Sequence, residues 1–269
     1  MNYVGGKYKL LPQILPLFPE NINTFVDLFG GGFNVGINVN AEHIIYNDLA
    51  EQVVDLLKYF KRKRLCMLLD EIDSYIEKYK LSKENKEGYL ELREDYNNGE
   101  KTPMKFYALL CYAFNNQIRF NKNGEYNMPF GKDRSSFNPT LRMKFINFVE
   151  ALHKKDCSFM NVSFDKFDFE DFDNNDFVYC DPPYFNSVAA YNEQGGWTEE
   201  HEKNLLDLLD KLNDKGVKFA LSNNLKYDNP LLDEWKNKYN VHFLNGDYSN
   251  CNYQKKDKSK DIEVLITNY

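Results

Sequence analysis

Two consecutive prolines, Pro182 and Pro183, follow directly on the apolar run Phe177-Val178-Tyr179-Cys180, and they constrain this chain more than any other feature. Proline has no amide proton and fixes φ, so the run must end as a strand at Cys180 and leave its sheet by a rigid, extended corner. An acid, Asp181, precedes the corner and an aromatic ring, Tyr184, follows it. That order suits gripping a flat, amine-bearing ring. The Asp181 carboxylate and the Pro182 carbonyl accept the two protons of an exocyclic amine, while Tyr184 stacks on the ring face. Read as local structure alone, the same four residues are a stiff strand-end turn with a surface tyrosine.

A second strand signal opens the chain. Thr24-Phe25-Val26-Asp27-Leu28-Phe29 is an apolar run closed by Gly30-Gly31-Gly32, which reads as a buried strand entering a tight turn. His43 to Tyr46 reads as the next strand, and Leu49, Val53, Leu56, Leu57 and Phe60 then recur at helical spacing. Further strands are expected at Val217 to Leu221, Val241 to Leu244 and Ile262 to Ile266, with a helix capped by Thr198 before the first of these. Strands alternating with helices imply a largely parallel α/β sheet with ligands at the carboxyl ends of its strands. Gly30, Gly32 and Gly36 are spaced GxGxxxG, one residue longer than the dinucleotide fingerprint. Asp48, ending the second strand, suits a pair of ribose hydroxyls, although a plain glycine turn explains the same pattern.

Charge divides the chain more sharply than its net value of −7 suggests. Residues 61–160 hold 19 Lys and Arg against 14 Asp and Glu, net +5, so the remainder is net −12. Residues 101–155 hold ten basic and three acidic residues. This stretch also reads as mostly helical, with apolar spacing over Leu65 to Tyr79 and Leu141 to Leu152 and a helix start at Thr102-Pro103. A basic footprint on an acidic body can face phosphates, and it can equally be a solvated surface. The longest unbroken apolar stretch is nine residues, Phe106 to Phe114, and no signal-peptide core opens the sequence, so a soluble, cytoplasmic chain is expected. Five cysteines at wide spacing suggest neither disulfides nor a metal knuckle, and the four histidines are unpaired, so no metal is expected. Gln254 to Lys260 reads as a mobile loop.

Taken together, these motifs resemble the Dam-type (D12 class, alpha group) DNA adenine-N6 methyltransferases, and the likeness is expected to be greatest to the T-even phage enzymes. The likeness runs through Tyr3-Val4-Gly5-Gly6-Lys7-Tyr8-Lys9-Leu10, the glycine motif from Phe25 to Gly32, Asp48, Asp181 to Tyr184, and the closing Glu263-Val264-Leu265-Ile266-Thr267-Asn268-Tyr269. It implies a Rossmann-like, S-adenosylmethionine-dependent sheet over residues 1–57 and 157–269, and an inserted helical target-recognition domain with a β-hairpin over residues 58–156. Asp181, Pro182 and Tyr184 would be catalytic. Tyr3, Lys7, Phe29, Gly30, Gly32, Asp48, Phe164 and Asp181 would hold the cofactor. The segment Phe114 to Lys132 resembles the family's DNA-reading hairpin, so Arg119, Asn121, Lys122, Pro129, Lys132 and Arg134 would meet double-stranded DNA.

Two positions depart from the family. Ser163-Phe164 stands where many relatives carry an acid before the phenylalanine. Asp133, followed by Arg134, stands where phage relatives carry a guanine-reading arginine, so the expected site is GATC or a related one. The resemblance implies no membrane, no metal, and a monomer or a dimer on DNA. Alternatives are a catalytically degenerate DNA-binding protein on the same fold, or a methyltransferase acting on another planar amine such as cytosine N4, RNA adenine or a glutamine amide. A dinucleotide-dependent oxidoreductase is disfavoured by the glycine spacing.

Overall fold

Strand positions follow from where the sequence supplies unbroken apolar runs. In the computed structural model, which describes residues 6–186, 196–245 and 262–269, the strands are β1 (Thr24–Asp27), β2 (His43–Asn47), β3 (Cys157–Met160), β4 (Phe177–Cys180), β5 (Lys218–Asn224), β6 (Asn240–Leu244) and β7 (Glu263–Thr267). The helices are α1 (Leu11–Ile14), α2 (Glu51–Arg62), α3 (Leu65–Lys78), α4 (Lys86–Asn98), α5 (Pro103–Tyr112), α6 (Pro139–Lys154), α7 (Glu199–Asp214) and α8 (Pro230–Trp235). The sheet order is β3-β2-β1-β4-β5-β7-β6. β1 pairs in parallel with β2 and β4, and β4 with β5, whereas β7 inserts antiparallel between β5 and β6. The α/β class and the Rossmann-like sheet expected from the sequence are therefore what the chain forms. The antiparallel side is a refinement that a parallel reading did not contain.

β4 is buried at all four positions and β7 at all five, so both are covered on two faces, β4 as a continuous apolar run and β7 with Glu263 and Thr267 at its ends. β5 breaks that rule at its carboxyl end. Ser222, Asn223 and Asn224 are buried polar residues, which cost free energy unless something there uses them. Four elements escaped the sequence reading: α4, whose inner face is made by Tyr89, Leu92 and Tyr96, and the short α1, β3 and α8. Leu49 lies before α2, largely exposed, and not in the helix. The loop expected at Gln254 to Lys260 lies outside the described residues. No helix among the described residues is long and apolar enough to cross a membrane.

Packing divides the chain into two compact units, Met1–Gly6 with Ala50–Asn161, and Lys7–Leu49 with Val162–Tyr269. The first is built on α5, buried along nearly its whole length and packed by α2, α3 and α4. A helix apolar all round can only be a core element. The Lys61 ammonium donates to the carbonyls of Leu152 and Lys155 at the end of α6, where the last carbonyls have no helical partner.

In the second unit, the turn after β1 is fixed by side chains that leave no room. A Cβ on Gly30 would lie 2.3 Å from the Tyr46 ring, and one on Gly36 2.4 Å from the Phe33 ring and 2.9 Å from Asp27 Oδ2. Gly36→Ala should therefore displace Phe33 and the Asp27 carboxylate together, destabilising the fold by about 1–3 kcal/mol in urea unfolding. A midpoint unchanged from the parent would show that the turn relaxes freely.

Candidate functional site

The carboxyl ends of β1, β4 and β5 and the start of the antiparallel β7 meet at one end of the sheet, and each delivers a polar group there. At the end of β1, Asp27 is buried and its Oδ2 accepts the Gly36 amide at 3.0 Å. Burial pushes this carboxyl up to about 7, helped by the neighbouring charges of Asp181 and Asp48 and opposed by the Gly36 amide. The Gly30 amide donates to Asn47 O at 2.8 Å, the Gly31 amide to Asp48 Oδ2 at 2.8 Å, and the Tyr46 hydroxyl to Gly31 O at 2.8 Å. Asp48 is thus tied to the glycine turn. Asn47 donates to Leu28 O and Val162 O and accepts the Val162 amide, all at 3.0 Å, which fixes the approach to Phe164.

At the corner after β4, Lys7 Nζ lies 2.8 Å from Asp181 Oδ1 and donates to the Tyr184 hydroxyl at 2.6 Å. Lys7 is 4% exposed and the Asp181 side chain 19%. Burial pushes the Asp181 carboxyl above its ordinary value, and the Lys7 ammonium pulls it back down. Tyr184 donates in turn to Glu263 Oε2 at 3.1 Å, and Asn224 Nδ2 donates to Glu263 Oε1 at 2.9 Å. The expected catalytic trio therefore gains Glu263 and Asn224, which the sequence reading did not single out. An acid heading an otherwise apolar strand, Glu263 before Val264-Leu265-Ile266, was the signal that pointed to it.

Three aromatic rings form an apolar wall in the same unit. Phe29 and Phe164 lie 5.5 Å apart between centroids, and Trp197 lies 5.7 Å from Phe29 and 5.4 Å from Phe164. Trp197 is held by the buried Glu202, whose other oxygen takes the Asn229 amide at 2.8 Å. Expected site residue Tyr3 falls outside the described residues. Gly32 is buried in the turn.

The expected DNA-reading residues lie in the other unit, on two antiparallel legs joined by single bridges, Ala113 to Phe130 and Phe120 to Tyr126, and not by a continuous ladder. Arg119 donates from Nε to Asn127 Oδ1 at 2.8 Å and from Nη2 to Asn127 O at 3.0 Å. Asn121 is committed to the turn itself, donating to Glu125 Oε2 at 2.6 Å and accepting the amides of Asn123 and Glu125. Lys122, Pro129, Lys132 and Arg134 are exposed. The outer edge of the 126–128 leg is gripped by one face of α4. Tyr89 and Arg93 donate to Met128 O at 2.9 and 3.0 Å, and the Asn97 carboxamide pairs with both backbone groups of Tyr126 at 3.0 and 2.8 Å.

Comparison with known proteins adds an independent finding. A family model described as D12 class N6 adenine-specific DNA methyltransferase matches residues 3–250. Over its whole length the chain is 50% identical to the type II methyltransferase M.FokI of Planomicrobium okeanokoites and 42% identical to the modification methylase StsI of Streptococcus sanguinis, and it spans 42% of the length of each. It is 26% identical to the DNA adenine methylase of Escherichia coli strain K12, over 91% of this chain and 86% of that one. These relatives are modification and adenine methylases of bacteria, and they lend the expected closeness to T-even phage enzymes no support.

The raised Asp27 carboxyl sets a direction for stability against pH. Its folded value of about 7 lies above its ordinary value of 3.8. Between these pH values the unfolded chain has released a proton that the folded chain keeps, so stability falls as pH rises through the window and levels off above it. Asp181, Glu202 and Glu263, also pushed up by burial, act in the same sense. Asp27→Asn should remove its share, on the order of a few kcal/mol at most. The variant should gain on the parent in thermal unfolding as pH rises from about 4 to about 7, and a gap independent of pH would show that Asp27 ionises freely in the fold.

Proposed function

This chain belongs to the D12 class N6 adenine-specific DNA methyltransferase family, and on that premise we propose that it transfers a methyl group from S-adenosylmethionine to N6 of an adenine flipped out of double-stranded DNA. The observation that carries this reading is the Asp181 carboxylate, held by the buried Lys7 at a two-proline corner with Tyr184 beside it.

The residues present fit a cationic nucleoside. Gly30 belongs to the tight turn that Asp48 ties down, Phe29 and Phe164 offer ring faces to an adenine, and Asp48 follows β2 where ribose hydroxyls bind in folds of this type. Tyr3, Lys7, Gly32 and Asp181 complete the set we assign to the cofactor. When bound, S-adenosylmethionine supplies a methyl group on a positively charged sulfur, and the Asp181 carboxylate suits that charge.

Adenine N6 is a poor nucleophile because its lone pair is delocalised into the ring. Asp181 and the Pro182 carbonyl accept its two protons, which draws the lone pair out of conjugation and aims it. Tyr184 stacks on the base and fixes its plane. Lys7 opposes the effect of burial on Asp181 and so favours the ionised, accepting form. Orientation and preorganised charge supply most of the acceleration.

The unit carrying the basic stretch is the one we assign to DNA. Two of the five guanidinium donors of Arg119 are committed to Asn127, which leaves the end-on fork of Nη1 and Nη2 for the O6 and N7 of a guanine. Lys122, Lys132 and Arg134 are placed for phosphates, Pro129 for a thymine methyl, and Asn121 shapes the turn that carries them. With Asp133 in the sequence the target is GATC or a related site. On the same reading the enzyme acts as a monomer in the bacterial cytoplasm, as the modification partner of a restriction activity, in keeping with the names of its relatives.

Methyl transfer from labelled S-adenosylmethionine to a mixed-sequence unmethylated duplex, followed by nucleoside digestion and sequencing of modified positions, tests the reading. N6-methyladenine at a fixed motif is expected, and Asp181→Ala should lower turnover by about a thousandfold or more while its circular dichroism matches the parent. Near-parent turnover in that variant overturns the assignment. Arg119→Ala should weaken use of the cognate site by about 1–3 kcal/mol. An equal loss on scrambled DNA makes Arg119 a phosphate contact instead.

A further inference from the structure

Glu263 sits at the head of β7, a strand paired on both sides, with Asn224 opposite it on β5 and Leu244 on β6. It is 4% exposed, and the residues after it, Val264, Leu265 and Ile266, are wholly buried and apolar. A carboxylate there costs several kcal/mol of desolvation that an apolar side chain would not. Both of its oxygens are taken, Oε1 by Asn224 Nδ2 and Oε2 by the Tyr184 hydroxyl.

The Asn224 end of this chain of groups has a fixed hydrogen-bond direction. Asn224 Oδ1 accepts the backbone amides of Lys226 at 3.0 Å and Ile262 at 3.2 Å, so its carboxamide cannot rotate and Nδ2 must face Glu263. At the other end the Lys7 ammonium, which has no acceptor, donates to the Tyr184 oxygen, so the single hydroxyl proton of Tyr184 is left for the two carboxylates beside it, Glu263 and Asp181. Glu263 thus faces the Asn224 donor on one side and the Tyr184 hydroxyl on the other. A carboxylate offers an acceptor to both, whereas a glutamine in its place would put its own donor against Asn224 or against Tyr184. Prolines 182 and 183 fix the backbone before Tyr184 and leave its side-chain torsions free.

We propose that Glu263 is a positioning residue, which through its hydrogen bond to the Tyr184 hydroxyl fixes the ring that stacks on the target base, with Asn224 fixing Glu263 in turn. This rests on the function proposed above for Asp181 and Tyr184. Glu263 touches neither base nor methyl group in this assignment. It acts by removing the swing of one ring from the steps before transfer, so its loss reads out in turnover more than in cofactor affinity.

Charge and donor placement give a test that a generally destabilising change does not mimic. E263Q should lower kcat for methyl transfer by about tenfold or more, with the dissociation constant for S-adenosylmethionine within about threefold of the parent. The double variant N224D/E263Q restores an acceptor opposite the glutamine donor at unchanged net charge, and should recover kcat to within about threefold of the parent. In a Y184F background, which lacks the hydroxyl, E263Q should cost less than about twofold. An E263Q enzyme within about twofold of the parent overturns the proposal, as does an equal cost of E263Q in the Y184F background. A parent chain that transfers no methyl group to DNA refutes the proposed function. The positioning is then decided without turnover, by the 19F resonance of a 3-fluorotyrosine at position 184. That resonance should move in E263Q and return in N224D/E263Q, and a resonance indifferent to Glu263 overturns the proposal.

Discussion

The buried pair of Lys7 and Asp181 is the interaction on which the site depends. Lys7 is 4% exposed, and its ammonium opposes the rise that burial imposes on both Asp181 and Glu263. Removing one partner of such a pair leaves an uncompensated buried charge, at about 3–5 kcal/mol. A lysine this well covered is therefore kept in place by its acids, and the acids by the lysine. The pair also links chain segments remote in sequence. Lys7 precedes the first strand, Asp181 ends the fourth, and Glu263 begins the last, so the site exists only once the sheet is assembled. Its stability and its chemistry are the same set of contacts.

What was legible in the sequence was whatever the backbone enforces locally. Two prolines after an apolar run end a strand wherever they occur, and β4 stops at Cys180 as Pro182 and Pro183 require. Three glycines after β1 likewise announced a turn too close to Tyr46 and Phe33 for side chains. Glu263 and Asn224 were not legible in the same way. Their meaning comes from β7 entering antiparallel between β5 and β6, and no periodicity in a five-residue strand reveals its direction or its neighbours. Asp27 lay in plain view inside a quoted motif, yet its raised carboxyl follows from burial beside Asp181 and Asp48, a three-dimensional fact. α4 was missed because its apolar face is largely tyrosine, a residue equally at home in strands and loops.

That missed helix has a job that no pattern reading assigns. The leg 126–128 has one edge toward the Arg119 leg, where the Asn127 amide donates to Arg119 O at 3.1 Å, and the other edge toward α4. Residues 89, 93 and 97 are four apart and so share one helical face, while carbonyls 126 and 128 share one strand edge. The matching of a helical period to a strand period lets a helix stand in for a missing strand. The Asn97 carboxamide, itself a peptide-like group, completes the imitation at Tyr126. An otherwise open strand edge is thereby closed inside the fold and is not left to pair with another chain.

Charge separates the two chemical tasks. The site on β1, β4 and β7 gathers Asp27, Asp48, Asp181 and Glu263 around one lysine, in the part of the sequence whose net charge is −12. Such a field favours a cationic ligand and repels phosphate. On the function proposed above, contact with a nucleic-acid backbone is assigned instead to the stretch of net charge +5 that includes Lys122, Lys132 and Arg134. In that proposal the flipped adenine is neutral and meets the acidic site without that penalty. The acidic isoelectric balance that argues against a nucleic-acid binder is thus the average of two stretches of opposite charge, and the proposed function asks only the basic one to touch the backbone.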